Sequence, residues 1–60
     1  MANLTQVECS SIREVASNHL FVASKLDEYA NKCTDPQIKQ MFSTSASGAR
    51  TSAQKLIDML

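Results

Sequence analysis

Apolar side chains recur every three or four residues along the first half of the chain, which is the spacing of one face of an α-helix. The positions with this spacing are Ile12, Val15, His19, Val22, Leu26, Tyr29 and Cys33. Beside them, alanines recur every seventh residue and widen the stripe with small side chains, at Ala16, Ala23 and Ala30. We interpret the larger set as a seam that faces a partner helix. The pattern predicts one helix over about residues 5–33.

The second half of the chain keeps the same spacing through a stretch of poor helix formers. Its positions are Ile38, Phe42, Ser45, Ala49, Ser52, Leu56 and Met59. The middle is rich in Ser and Thr and contains Gly48, and a mid-helix glycine costs about 1 kcal/mol relative to alanine. A structureless break there would leave two helices too short to be stable. We therefore predict one continuous helix over about residues 36–59, with its centre the least stable part.

Two overlapping helix-start signals lie between the helices. With Thr34 as the N-cap, Gln37 falls at N3 and completes a capping box. With Asp35 as the N-cap, Pro36 falls at N1, where its missing N–H costs nothing. The sequence leaves both starts open. With either start the connection is only a few residues long, and so short a connection makes the helices antiparallel neighbours.

The first helix also has two candidate starts. Thr5 and Glu8 have the spacing of a capping box, and so do Ser11 and Glu14. We take the first as the start and expect the second to fray or kink the opening turns. Pro and Gly are absent from residues 5–34, so nothing else interrupts the helix.

The sequence thus predicts an all-α fold, in which residues 1–60 form a single domain built as an antiparallel two-helix hairpin. A turn near residue 34 makes the numbers of facing residues add up to about 69. His19, Leu20 and Val22 would then face residues 46–50, so that bulky side chains meet small ones, the axes approach closely and Gly48 is tightly packed. Each stripe is wider than one neighbouring helix can cover. We therefore predict a homodimer in which two hairpins form an antiparallel four-helix bundle.

Charge and hydropathy limit the partners. Six basic and six acidic residues are scattered along the chain, which argues against nucleic acid and anionic membrane surfaces as partners. The apolar runs, such as residues 20–23, are too short to span a bilayer. The first residues lack the basic and apolar regions of a signal peptide, so we expect a cytoplasmic protein.

Few residues carry candidate chemistry. Cys9 and Cys33 would lie on one helix roughly 36 Å apart, too far for a disulfide, and we interpret both as small buried hydrophobes rather than redox groups. We interpret His19 as a hydrogen-bonded core histidine with Ser45 or Ser52 in reach. A metal site would need converging carboxylates or imidazoles, and the second helix has no Glu or His. We expect no catalytic, cofactor-binding or metal-ligating residue and no enzymatic activity.

One aromatic residue falls outside the seam. Phe21 lies about 200° around the helix from His19. Together with Leu20 it is either an ordinary exposed side chain or a contact for a partner, and the sequence does not separate these alternatives.

The run Tyr-Ala-Asn-Lys-Cys-Thr-Asp-Pro-Gln-Ile-Lys at residues 29–39 resembles the spore coat protein F family of endospore-forming bacteria, which are small ferritin-like helical proteins. The resemblance extends over about His19 to Phe42. It implies half of a ferritin-like bundle, a sporulating bacterium as the source and a structural role. Lys32 stands where the family pattern has Glu, and residues 45–49 contain no Glu or His. No metal ligands are therefore carried over.

These observations favour a non-enzymatic structural or protein-interaction protein, associated with spores. Its expected partners are a second copy and other coat or helical proteins, with no nucleic acid, membrane or cofactor. The alternative is a ferritin-like metal- or ligand-binding protein whose site forms at the dimer interface, around paired His19 residues.

Overall fold

The chain folds into two helices, as a computed structural model that describes residues 3–60 shows. Helix α1 spans Gln6–Lys32 and helix α2 spans Pro36–Ile57. Residues 33–35 connect them, and no strand occurs in the described part of the chain. The predicted two-helix hairpin is confirmed: α2 begins at the predicted residue, and the other three helix ends lie one or two residues inside the predicted ones. The Cα atoms span 47 × 16 × 9 Å, so the molecule is a single layer of two helices.

Helix α1 begins with the first of its two candidate capping boxes. The Thr5 hydroxyl accepts a hydrogen bond from the Glu8 backbone N–H at 3.0 Å, and the Glu8 carboxylate accepts one from the Thr5 N–H at 2.9 Å. The bond from the Thr5 backbone lowers the pKa of the Glu8 carboxyl below its ordinary value. The helix runs through the second candidate, Ser11 and Glu14, without a break. The earlier start satisfies two backbone donors and leaves the later one inside the helix.

Helix α2 begins at Asp35 and not at Thr34. One carboxylate oxygen of Asp35 accepts hydrogen bonds from the backbone N–H groups of Gln37 at 2.8 Å and Ile38 at 3.2 Å. Pro36 occupies the first helical position. A carboxylate at an N-cap satisfies otherwise free N–H groups and complements the positive end of the helix dipole. The structure therefore selects the second of the two starts that the sequence left open.

The stretch of poor helix formers in α2 is helical throughout, as predicted. Side chains of this stretch bond along the helix surface: the Gln40 amide donates to the Thr44 hydroxyl at 3.1 Å, and the Thr51 hydroxyl donates to the Ser47 carbonyl at 3.0 Å. Gly48 has no positive φ and is accommodated in the helix without special backbone geometry. The predicted close packing at Gly48 is not found, because a methyl group built there has no neighbour within 4 Å.

The two helices meet along alanines. Among residues 3–60 the buried positions are Ala16, Ala23 and Ala30 on α1 and Ala46 and Ala53 on α2, each 0–3% exposed. The antiparallel register expected from the turn pairs Ala16 with Ala53 and Ala23 with Ala46. Because an alanine side chain is a single methyl group, the two helices can approach closely along this contact line. We predicted that bulky side chains of α1 would meet small ones of α2. Along the contact line, small side chains of both helices meet instead.

The predicted seam does not face the partner helix directly, which corrects the sequence interpretation. Val15, Val22 and Tyr29 are 42%, 48% and 47% exposed, although all three were assigned to the seam. On a helix with 100° per residue they lie about 100° around α1 from the line of buried alanines. The stripe is rotated toward one broad side of the hairpin, because the alanines beside it make the contact with α2.

Candidate interaction face

One broad side of the hairpin, here called the apolar face, collects large apolar side chains from both helices. Helix α1 contributes Ile12, Val15, Val22, Leu26 and Tyr29 together with His19, helix α2 contributes Ile38, Phe42 and Leu56 together with the small Ala49, and Met59 follows the end of α2. An antiparallel helix pair has local two-fold symmetry, so positions with the same offset from the alanine contact line lie on the same side. The contact between the Tyr29 and Phe42 rings, with centroids 5.9 Å apart and planes tilted by 57°, agrees with this assignment.

The middle of the apolar face is uneven. On α1 it carries a row of larger side chains, here called the ridge, formed by Val15, His19, Val22 and Leu26. On α2 the same stretch carries Ser45, Ala49 and Ser52. The surface is therefore high along α1 and low along α2. An open groove of about 220 Å³ lies at this step, lined by Asn18, His19, Val22 and Ala49.

The His19 side chain is half-buried at the edge of the groove. Its Nδ1 lies 2.9 Å from the Val15 carbonyl oxygen on the same helix. A carbonyl oxygen only accepts, so this hydrogen bond needs a proton on Nδ1. The expected serine partners on α2 are not used. Within residues 3–60, no group of three or more His, Cys, Asp or Glu side chains converges on a metal-sized site.

The opposite broad side of the hairpin is mainly polar, although Leu20 and Ile57 also lie there and are 43% and 40% exposed. Arg50 of α2 forms an ion pair with Asp27 of α1, and both have the same offset from the alanine contact line, on the side away from the apolar face. Along α1, the Glu28 carboxylate lies 3.2 Å from the Lys32 ammonium and 3.5 Å from the Lys25 ammonium. These contacts, chiefly the hydrogen bond from Lys32, lower the pKa of Glu28. The hairpin therefore has one apolar side and one mainly polar side.

Phe21 projects from the outer surface of α1 and does not belong to the apolar face. Its ring is 64% exposed, and the Lys25 ammonium lies 5.8 Å from the ring centroid. A lysine over an exposed aromatic ring is a weakly favourable arrangement in water. Within the described residues, Phe21 has no contact with another aromatic ring. Whether it contacts a partner stays a prediction.

The cysteines are separate from one another. Cys9 and Cys33 are both half-buried free thiols at opposite ends of α1. Their separation along one helix agrees with the geometric argument against an intrachain disulfide.

Neither of the two helices is both long enough and apolar enough to cross a membrane, within the residues that the structure describes. Comparison of the chain with protein-family models, with curated proteins and with solved structures finds no match. The resemblance of residues 29–39 to the spore coat protein F family therefore stays a hypothesis.

Proposed function

We propose that this chain is a non-enzymatic structural or interaction protein that works through its apolar face, and that the first occupant of that face is a second copy. Two copies docked face to face make a four-helix bundle. One observation carries the proposal: large side chains from both helices share one exposed side, while the hairpin itself buries only alanines among residues 3–60.

The accessible surface supports a second copy as the occupant. The chain exposes 4547 Å². A compact monomeric protein of 6.6 kDa is expected to expose about 3,900 Å², which is about 700 Å² less. A standard protein–protein interface buries about 800 Å² on each partner. The excess surface of one hairpin is thus about as large as one side of a stable dimer interface.

The energetics lead to the same proposal. Moving a Val, Leu, Ile, Phe or Met side chain fully out of water contributes about 1.5–3 kcal/mol. A few such side chains are comparable to the whole stability of a small domain, about 5–15 kcal/mol. In the single hairpin only alanines are fully buried among residues 3–60, so most of this contribution is missing. Folding and dimerisation are therefore coupled, and stability rises with protein concentration.

The resemblance of residues 29–39 to the spore coat protein F family supports a structural role in the spore coat. Spore coat protein F-like proteins are ferritin-like bundles, and a dimer of hairpins has the same number of helices. The balanced charge of the chain, six basic and six acidic residues, gives the bundle no strong electrostatic preference for nucleic acid. Other coat or helical proteins would then bind the outside of the dimer.

The test compares two lysine substitutions at neighbouring positions. Val22 lies on the apolar face and is half-exposed in the hairpin, so Val22→Lys is compatible with the hairpin but buries a charge in the dimer. An uncompensated buried charge costs several kcal/mol. Sedimentation equilibrium at micromolar concentration should find a dimer for the natural chain and a monomeric or unfolded chain for Val22→Lys.

Phe21→Lys is the matched control, because Phe21 is larger and more exposed but lies off the apolar face. We expect it to dimerise like the natural chain. A well-folded natural monomer with a concentration-independent melting temperature would contradict the proposal. If both variants lose the dimer equally, the interface lies on the outer surface of α1 and not on the apolar face.

The metal-binding alternative needs a separate measurement. Titration calorimetry of the dimer with zinc and with ferrous iron should show no binding above background. Stoichiometric binding that is lost in His19→Ala would favour a site between subunits instead.

A further inference from the structure

The uneven middle of the apolar face decides how two copies fit together. We infer that the two hairpins are related by a two-fold axis parallel to the helices, which places both turns at the same end of the bundle. This inference rests on the proposed homodimer and specifies its geometry. It follows from where the large and small side chains lie along the two helices.

The ridge and the low stretch of α2 lie at the same level of the hairpin. In the antiparallel register, the ridge residues 15–26 of α1 lie beside residues 43–54 of α2. That segment contains Ser45, Ala49 and Ser52, the small residues on the same face. The groove lined by His19, Val22 and Ala49 marks the step between them. Each hairpin thus presents the ridge on α1 beside a low strip on α2, which is formed by Ser45, Ala49 and Ser52.

Two arrangements put the apolar faces of two copies together with two-fold symmetry. With the axis parallel to the helices, α1 of each copy lies over α2 of the other. The ridge of each copy then enters the low strip of its partner, and the fit occurs twice. With the axis perpendicular to the helices, α1 lies over α1 and α2 over α2. Ridge then meets ridge, while the two low strips leave space between them.

Close packing selects between these arrangements. Protein interiors are packed as densely as organic crystals, and a void forfeits the dispersion contacts of the atoms that line it. In the parallel-axis dimer, side chains of the partner's ridge fill the groove beside Ala49. In the perpendicular-axis dimer, ridge contacts hold the layers apart and the space over Ser45 and Ser52 stays unfilled. The two ends of the apolar face do not favour either arrangement, because both helices carry large side chains there.

Distances between spin labels test the geometry directly. In a Cys9→Ala, Cys33→Ala background, a single label is attached at Thr34→Cys in the turn, or at Gln6→Cys at the far end of the hairpin. Both positions are exposed. In the parallel-axis dimer, two turn labels should be within about 25 Å, which is about two helix diameters. In the perpendicular-axis dimer they should be nearly the length of the molecule apart, whose long dimension is 47 Å.

Mixed samples provide the complementary measurement. When one copy is labelled at Thr34→Cys and the other at Gln6→Cys, the long distance belongs to the parallel-axis dimer and the short one to the alternative. Sedimentation equilibrium on the same samples separates the two claims. Monomeric samples overturn the proposed function, whereas a dimer with distant turn labels overturns only the inferred axis.

A substitution with opposite expected effects gives an independent test. Ser52→Leu raises the low strip of α2. In the parallel-axis dimer the new side chain meets the partner's ridge, and the dimer Kd should rise at least tenfold. In the perpendicular-axis dimer the same side chain fills empty space and the Kd should fall. An unchanged or lower Kd overturns the inferred axis.

Ser47→Leu is the matched control, because Ser47 is exposed on the polar side of α2. We expect its Kd to stay within twofold of that of the natural chain. Leucine is a better helix former than serine, so neither substitution weakens the helix itself, and circular dichroism verifies this.

Discussion

At the scale of single residues, the turn contains two neighbouring polar side chains, Thr34 and Asp35, that have different roles. Asp35 accepts two backbone hydrogen bonds at the start of α2, while Thr34 precedes the cap and makes no such bond in the structure. Asp35→Ala should therefore lower the free energy of unfolding by about 1 kcal/mol, the usual effect of removing an N-cap. Thr34→Ala should change it by no more than a few tenths. Urea denaturation at a fixed protein concentration measures both, and a larger loss at Thr34 would contradict the assigned cap.

Gly48 gives a second prediction at this scale. Its open surroundings remove the packing reason to keep a glycine, since an added methyl group has no neighbour within 4 Å. Gly48→Ala should raise the free energy of unfolding by about 1 kcal/mol through helix propensity. For a domain of this size that corresponds to a rise in melting temperature of about 4–8 °C.

The control for Gly48 is Ser47→Ala, the same gain of an alanine one residue away. It should stabilise the protein less, because serine is a better helix former than glycine. A fall in melting temperature for Gly48→Ala alone would show that another chain packs against Gly48 in the assembled protein.

At the scale of the helices, the alanine contact line sets the distance between α1 and α2. Ala23 of α1 and Ala46 of α2 are both fully buried along it. Ala23→Leu should force the helices apart and lower the free energy of unfolding by about 1–3 kcal/mol, as overpacked cores do. The control is Ser24→Leu, one residue further along α1 and exposed. If Ala23→Leu lowers the free energy of unfolding no more than Ser24→Leu does, the contact line tolerates larger residues.

The helices could be predicted from the sequence because their signals are local. Spacing gave both helices, Thr5 and Glu8 gave the first start, and Pro36 gave the second to within one residue. The choice between Thr34 and Asp35 depends on which side chain reaches the free N–H groups, and the spacing of residue types is the same for both. The continuity of α2 also came from spacing, although its composition alone favours a loop.

The direction of the stripe could not be predicted from spacing alone. A three-four pattern tells which residues share a side of a helix, but it does not tell which neighbour covers that side. In a four-helix bundle the stripe lies between two neighbours. The missed signal was the match between the helices: alanines at seven-residue spacing on α1 have counterparts Ala46 and Ala53 at the partner positions of α2. The residues of the predicted seam were correctly grouped, but they form the apolar face.

At the scale of the whole molecule, the hairpin is 9 Å thick between its Cα atoms, so it has two broad sides and no interior beyond the alanine contact line. Such a layer cannot enclose a large side chain within one copy. The proposed dimer has twice the number of layers, with an interior between them. The proposed function is therefore a consequence of shape as well as of composition.

The alanine contact line also divides the loss of conformational entropy between two stages. Alanine has no side-chain rotamers, so bringing Ala16, Ala23, Ala46 and Ala53 together restricts only the backbone. The side chains of the apolar face that are exposed in the single hairpin, such as Val15, Val22 and Ile38, keep much of their rotamer freedom there. In the proposed dimer they lose it only when the second copy binds, at the step where their burial from water compensates for it. Hairpin formation thus orders the chain, and assembly orders the side chains.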